Sequence, residues 1–338
     1  MKTLKVSLKK GQSIIQYLRN HDLFNYKYQV AKDKEYIYIP IENIIEVKKQ
    51  FPKLEIKEKK LKLIYKPKTY KEALLEVLSK EDFDMLPKSY DVVGTIAILE
   101  IPEELNKREK QVAKALLDTN ENITTVLMKA TIHGGKFRTQ KLKYLAGKKT
   151  KETIHKENNI RLKLDVEKVY FSVRTSHERK RIINLVKKNE DILVMFSGCG
   201  PLPIVLGKNT QAKSIVGIEL NPVGHKYASQ NVKLNKLKNV EVINGDVRTI
   251  IPKLKKKFDR ILMPLPKTAD EFLVDALKVA KKGTIIHLYL FLCNSTLPPA
   301  KANIKKIFGK RKYKIQRLVK CGSFSPGVFR TCIDIKLI

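Results

Sequence analysis

Asp191-Ile-Leu-Val-Met-Phe-Ser-Gly-Cys-Gly-Pro201 is followed, a helix length later, by Gly217-Ile-Glu-Leu-Asn221. The first stretch is an apolar run that ends in a small-residue turn with Gly198 and Gly200, and an apolar, helix-compatible segment follows it. A second apolar run, Ile215 to Ile218, ends at Glu219. Strand, glycine turn, helix, strand and acid in that order are the grammar of a nucleoside-binding βαβ unit. The glycines let the backbone approach a ligand closely, and a carboxylate after the second strand can accept hydrogen bonds from both ribose hydroxyls.

The turn Gly198-Cys-Gly200-Pro-Leu-Pro203 has no third glycine of the dinucleotide type, and no Walker lysine pattern occurs. A third run, Val240 to Ile243, ends in Asn244-Gly-Asp246, which places a carboxylate where an adenine amino group would lie. A fourth, Ile261-Leu-Met263, leads into Pro264-Leu-Pro-Lys267. Together the four signals point to S-adenosylmethionine. The cofactor-binding candidates are Phe196, Gly198 and Gly200 in the first turn, Glu219 and Leu220 after the second strand, and Asp246 and Val247 after the third. Cys199 has no paired base and reads as a small packing residue.

The whole chain bounds this reading. A length of 338 residues predicts two or three domains. Lys and Arg number 69 against 34 acids, a formal charge of +35, which favours a polyanionic partner. Heat-adapted proteins are also lysine-rich, but their acids usually keep pace, so nucleic acid is the expected partner. The 4 cysteines form no C-x-x-C pair and no signal-like segment opens the sequence, which suits a reduced cytoplasm. The longest apolar stretch, Gly283 to Cys293, contains His287 and is too short to span a bilayer. The 6 histidines show no metal-binding spacing, so no metal is expected.

In chain order, residues 1–66 read as a small α/β unit with strands at Leu4 to Leu8 and Tyr36 to Ile39. The basic segment Lys57 to Lys71 reads as a linker. Residues 67–165 form a second α/β unit, with an amphipathic helix from about Tyr70. Its later elements are a strand at Thr95 to Ile101, a helix from Glu104 to Leu117, and a strand at Thr125 to Lys129. The glycine loop His133-Gly-Gly-Lys-Phe-Arg138 follows; it reads equally as an RNA contact or as a tight surface turn. Ile160 to Val166 alternates as a strand, and Ser176 can cap the helix that carries Glu178 and Arg179. Residues 166–338 complete the nucleoside-binding domain. They add a helix at Ala269 to Ala280, a strand at Thr284 to Leu290, a helix at Ala300 to Phe308 and a closing strand pair. The fold class is therefore α/β, a Rossmann-like class I methyltransferase domain preceded by two smaller α/β domains.

Further stretches carry a resemblance. They are Ser89-Tyr-Asp-Val-Val-Gly94, Phe137-Arg138, Tyr144-Leu-Ala-Gly147, Thr153-Ile-His-Lys-Glu-Asn158, Lys168-Val-Tyr-Phe171, Glu178-Arg179, Asn235-Lys-Leu237 and Gly245-Asp-Val247. With the cofactor turn, they make the whole chain resemble the archaeal and eukaryotic type of tRNA (guanine-37 N1)-methyltransferase. The resemblance implies a cytoplasmic, monomeric enzyme that holds the tRNA body and methylates position 37 of the anticodon loop. It assigns Glu178 as acceptor of the guanine N1 proton and Arg138 as the cation facing O6, with a phosphate contact as the other reading of Arg138. Tyr170, Arg179 and Pro264 are carried over as cofactor-pocket positions.

Pro264 stands where single-function members carry asparagine. Met263-Pro-Leu-Pro-Lys267 is similar to the Ser-Pro-Thr-Pro-Lys pattern of a branch that also methylates carbon 7 of 4-demethylwyosine. That second activity stays open at this stage. The alternatives are the related aminocarboxypropyl transferase of wyosine synthesis, and a non-catalytic RNA-binding protein.

Overall fold

Five runs between residues 191 and 292 fold as parallel strands; the central ones are continuously apolar and buried on both faces, while the third lies at the sheet edge and is partly exposed. These are Asp191–Met195, Ser214–Glu219, Val240–Asn244, Phe258–Met263 and Ala280–Leu292. Tyr313–Ser325 and Val328–Leu337 follow as an antiparallel pair, and the seventh strand inserts between the fifth and sixth. The order is third, second, first, fourth, fifth, seventh, sixth. The chain reverses direction of travel at the first strand, where Val194 pairs with Gly217 on one side and Leu262 on the other. A ligand crevice is expected beyond the carboxyl ends of strands at such a point, and the glycine turn lies there.

The computed structural model describes residues 1–21, 23–63, 69–87 and 89–338. Its backbone divides into two units, residues 1–83 with 114–121, and residues 84–113 with 122–338. The first unit holds a four-stranded sheet of Ala31–Lys32, Tyr36–Pro40, Lys2–Ser7 and Glu55–Glu58 in that order. Leu4, Val6, Ile15, Leu18, Ile39 and Val47 form its buried core. Among the described residues no helix is long and apolar enough to cross a membrane.

In the second unit, Asp91–Val93, Ile96–Leu99, Thr125–Lys129 and Leu142–Gly147 form another sheet. Gly147 closes it at φ 89°, where a β-carbon would lie 2.2 Å from the Thr124 carbonyl oxygen. Val93, Ile96, Leu127 and Leu142 share one buried cluster with Ile160, Leu162, Val194 and Leu262, so this sheet and the larger one are built around a common core.

Between them lies a hairpin, Glu152–Glu157 with Ile160–Asp165. Asn158 and Asn159 turn it at φ 40° and 62°, a left-handed geometry that asparagine tolerates. Its outer edge pairs with a helix instead of a strand. Asn231 Oδ1 accepts from the Lys163 N–H at 2.7 Å, and Asn231 Nδ2 donates to the Lys163 carbonyl at 2.9 Å. Asn235 repeats the pattern on Arg161, at 2.9 and 2.7 Å. Two side-chain amides on the helix Pro222–Leu234 and its cap thus act as a substitute strand and cover an open edge.

Several local readings are corrected. Leu8 starts the helix Leu8–Asn20 rather than ending a strand. Lys57 lies in a strand paired to Thr3, so the linker begins later; residues 64–68 of it lie outside the described residues. The helix of residues 104–117 splits into a 3-10 turn, Glu103–Arg108, and the α-helix Glu109–Thr119. Ser176 is the first helical residue and Thr175 the cap; the Ser176 hydroxyl instead accepts from Asn158 Nδ2. The helix of residues 269–280 stops at Lys278, because Ala280 pairs with Phe258 and opens the fifth strand early.

Asn231→Ala removes three hydrogen bonds of a fully buried amide, including one to the Cys199 carbonyl. It should cost about 3 kcal/mol in urea unfolding; a loss under about 0.5 kcal/mol would show that the helix is not the hairpin's partner.

Candidate active site

The glycine turn is built from strained positions. Phe196 and Gly198 both sit at φ 60°, and Gly200 caps the helix Pro201–Asn209 at φ 89°. A β-carbon on Gly200 would meet Ile204 Cδ1 at 2.7 Å, whereas one on Gly198 would meet only the Tyr170 carbonyl, at 3.6 Å. The space above Gly198 is therefore open. The Gly198 N–H donates to Glu219 Oε2 at 2.6 Å and the Asn221 N–H to Oε1 at 2.7 Å. Burial pushes the Glu219 carboxyl above its ordinary value, and these two N–H groups oppose the rise. Each oxygen keeps lone pairs that can accept from a pair of hydroxyls. Ser197 also lines this cleft, and its Oγ, beside Gly217, is buried without a hydrogen-bond partner. An open glycine cradle, an orphaned hydroxyl and a doubly anchored carboxylate fit the ribose end of S-adenosylmethionine. Ser197 was not singled out in the sequence, where a serine between Phe196 and Gly198 reads as a spacer.

The third strand ends beside the second, because the Gly245 N–H and Asn244 Nδ2 both donate to the Glu219 carbonyl, at 3.0 and 2.8 Å. Asp246 caps the short helix Val247–Ile250, its Oδ1 accepting from the Arg248 N–H at 2.8 Å. Val247 is buried and Leu220 half-buried behind these carboxylates. The Phe196 ring packs edge-on against Phe272. Pro264 and Pro266 form a cleft wall, pinned to the fifth strand where the Phe291 N–H donates to the Pro266 carbonyl at 3.1 Å.

Tyr170, Glu178, Arg179, Phe196, Gly198 and Pro264 line one cleft. The guanidinium of Arg179 is held by Glu157, with Nε and Nη2 each 2.5 Å from a carboxylate oxygen. Its remaining donors reach Thr175 Oγ1 at 2.6 Å and the Ser172 carbonyl at 3.2 Å. Arg179 thus fixes the segment Ser172–Thr175, which lines the cleft. Glu157 belongs to the Thr153–Asn158 signature, whose other members are equally engaged. The Thr95 N–H donates to Thr153 Oγ1 and the Gly94 N–H to His155 Nδ1.

Glu178 is gripped just as firmly. Arg181 Nε donates to its Oε2 and Nη2 to its Oε1, both at 2.8 Å, and the Tyr289 hydroxyl donates to Oε1 at 2.6 Å. Arg181 also pairs with Asp334 at 2.7 Å, and Asp334 meets His287 at 2.6 Å. Arg181, Tyr289 and Asp334 escaped the sequence reading. Only the Glu178–Arg181 spacing hinted at the pair, since residues three apart share a helix face. Buried His287, Cys332 and Asp334 come within 4.8 Å of one another, but Arg181 and Arg260 already neutralise this cluster.

Arg138 sits half-buried at φ 52° in its glycine loop. The loop meets the cleft wall through His133, whose ring lies 5.1 Å from that of Tyr170. Burial lowers the Arg138 guanidinium slightly below its ordinary value, and the neighbouring Tyr170 opposes this.

The TRM5/TYW2 methyltransferase domain matches residues 153–316, the TYW2 N-terminal domain residues 70–150 and the tRNA methyltransferase 5 N-terminal domain residues 3–49. The chain is 38% identical over 291 residues to tRNA (guanine(37)-N(1))-methyltransferase Trm5b of Pyrococcus abyssi, covering 85% of this chain and 83% of that one. It is 36% identical over 256 residues to the tRNA (guanine(37)-N(1))/4-demethylwyosine(37)-methyltransferase Taw22 of Nanoarchaeum equitans, covering 60% and 84%. Among solved structures, the complex of aTrm5 with tRNALeu superimposes with a TM-score of 0.72 at 31% identity, covering 100% of both chains.

The Glu157 carboxyl gives a direct test. Burial would raise it, but the bonds from His155 and Arg179 outweigh that and hold it at about 2, against an ordinary 4.5. Its contribution is therefore complete above pH 4.5 and is lost as the pH falls towards 2. Glu157→Gln should lose about 3 kcal/mol at pH 7, and the gap to the parent should narrow in unfolding curves below pH 4. A gap independent of pH would contradict the pairing.

Proposed function

The chain belongs to the TRM5/TYW2 methyltransferase family, and from that premise we propose that it methylates N1 of guanosine 37 in tRNA, using S-adenosylmethionine. The observation that carries this reading is a single cleft in which the glycine turn, Glu178 and Pro264 meet, with the Arg138 loop packed on its wall through Tyr170. When bound, S-adenosylmethionine supplies an electrophilic methyl group on a cationic sulfur. Glu219 and Ser197 would hold the ribose, Asp246 would face the adenine, and Gly198 would leave room for the sulfonium arm that extends from the ribose.

Guanine N1 carries a proton at neutral pH, and that proton must leave as the nitrogen forms its new bond to carbon. Glu178 accepts it. Taking a proton loosens the grip of Arg181 on that carboxylate, and Asp334 keeps the guanidinium paired when it does. Tyr289 fixes the orientation of Oε1 throughout. Negative charge builds on O6 as N1 loses its proton, and the Arg138 guanidinium stabilises it. Residues 166–338 do the chemistry, residues 1–66 and the lysine-rich surface hold the tRNA body, and residues 67–165 carry the loop to the anticodon region. The sheet of residues 2–58, which lies in a unit apart from the other two sheets, supports the separate role of residues 1–66. The protein acts as a cytoplasmic monomer.

Methylation of carbon 7 of 4-demethylwyosine is the second reading, favoured by one observation. Pro264 offers no side-chain amide to a guanine edge, and with Pro266 it presents a stiff apolar wall.

The test is nucleoside mass spectrometry after incubation with S-adenosylmethionine and either tRNA bearing guanosine 37 or tRNA bearing 4-demethylwyosine. N1-methylguanosine is the expected product of the first, and Glu178→Gln should lower its rate about 10²–10³-fold. Absence of product from the first tRNA would remove the reading. Product from the second would add the carbon-7 activity.

A further inference from the structure

Two arginines line the cleft, Arg179 and Arg330, and their surroundings differ. Arg179 is matched by Glu157. Arg330 forms no ion pair among the described residues. Its Nη2 donates to the Tyr170 hydroxyl at 3.0 Å, while its Nε is enclosed without an acceptor. A shielded donor with no partner is unfavourable, and a guanidinium already partly stripped of water attracts an oxyanion more strongly than a fully hydrated one. The free protein thus holds an unneutralised cation at the side of its cleft.

The neighbours of Arg330 indicate which oxyanion comes. Arg330 pairs in register with Phe291 across the fifth and seventh strands, and its guanidinium lies 5.9 Å from that ring. Phe291 stacks on Phe324 at 3.9 Å, and Phe324, at the end of the last hairpin, is 63% exposed. A cation beside a stacked pair of rings, the outer one exposed to solvent, is the kind of surface on which proteins hold single-stranded RNA, with a phosphate on the cation and a base on the outer ring. The carboxylate of the cofactor would satisfy the cation and leave Phe324 bare.

The geometry points to Arg330 as a clamp on a phosphate of the substrate RNA, with Phe324 as the stacking platform for a nucleotide beside the modified one. This rests on the reading of the site as a tRNA methyltransferase. Arg330 is a positioning residue; it touches the backbone of the substrate and not the atoms that react. Together with Arg138, whose loop reaches the other side of Tyr170 through His133, it would fix the direction in which the strand crosses the cleft.

The experiment uses the full chain with Arg330→Gln, Arg330→Lys and Phe324→Ala, and records steady-state kinetics on tRNA across a salt series. Calorimetry with S-adenosylmethionine and thermal unfolding accompany it. Arg330→Gln should raise KM for tRNA about tenfold, leave kcat within about threefold, and flatten the salt dependence of binding by about one phosphate contact. Arg330→Lys should keep the salt dependence of the parent, and Phe324→Ala should raise KM about tenfold. Cofactor affinity and the unfolding midpoint should stay near the parent values in all three. Weakened cofactor affinity with an unchanged KM for tRNA would assign the oxyanion to the cofactor carboxylate and overturn the clamp. Unchanged KM in both Arg330→Gln and Phe324→Ala would overturn it too, as would a lowered unfolding midpoint in all three variants, which marks a structural role. A parent protein that leaves guanosine 37 unmodified would remove the functional reading itself. Parent turnover with no effect of these substitutions removes only the clamp.

Discussion

The paired forks of Arg179 and Glu157 are the contact on which the site depends. Both side chains are about 95% buried, and neither charge could be left there alone, since an uncompensated buried ion costs several kcal/mol. The pair joins the hairpin of residues 152–165 to the helix Ser176–Ile183 and to the segment Ser172–Thr175 directly before that helix, which walls the cleft. The same hairpin receives the Gly94–Thr95 turn on Thr153 and His155, and the helix amides of Asn231 and Asn235 on its far edge. A single two-stranded element thus ties the sheet of residues 91–147 to the larger one. Within the Thr-Ile-His-Lys-Glu-Asn signature, Thr153, His155, Glu157 and Asn158 make these ties, while Ile154 is exposed.

A second line of charge runs from the cleft beneath the sheet. Glu178, Arg181, Asp334, His287, Arg260 and Glu190 follow one another, each in hydrogen-bond contact with the next. Anion and cation alternate along most of it, so each buried charge meets its opposite. The consequence at the site is orientation. Glu178 cannot rotate without breaking its bonds to Arg181 and Tyr289, so its carboxylate is held in one orientation in the cleft lining.

Much of the large sheet is legible from residue pattern alone. Strands buried on both faces read as unbroken apolar runs, and the ends of those runs at Glu219, Asp246 and Pro264 fall at the carboxyl edge where a crevice must form. The boundaries that were misplaced follow tertiary contacts which periodicity does not register. Ala280 joins a strand because Phe258 lies opposite, and Ser176 gives its hydroxyl to Asn158, not to its own helix. Side chains whose meaning is a partner far away in sequence were invisible. Tyr289 and Arg330 look like ordinary strand positions until Glu178 and Tyr170 are seen beside them. The resemblance carries Arg179 over as a cofactor-pocket position; it lies in the cleft lining, with its guanidinium bonded to Glu157, Thr175 and Ser172.

The measurement that bears most directly on this account is a double-mutant cycle on S-adenosylmethionine affinity, with Glu157→Gln, Arg179→Lys and the pair together, read by calorimetry. If the buried pair builds the cleft wall, each single change weakens binding by about tenfold or more, and the double change is no worse than the poorer single one. Affinity that is unchanged in the singles, or losses that simply add in the double, would contradict the claim that this ion pair organises the site.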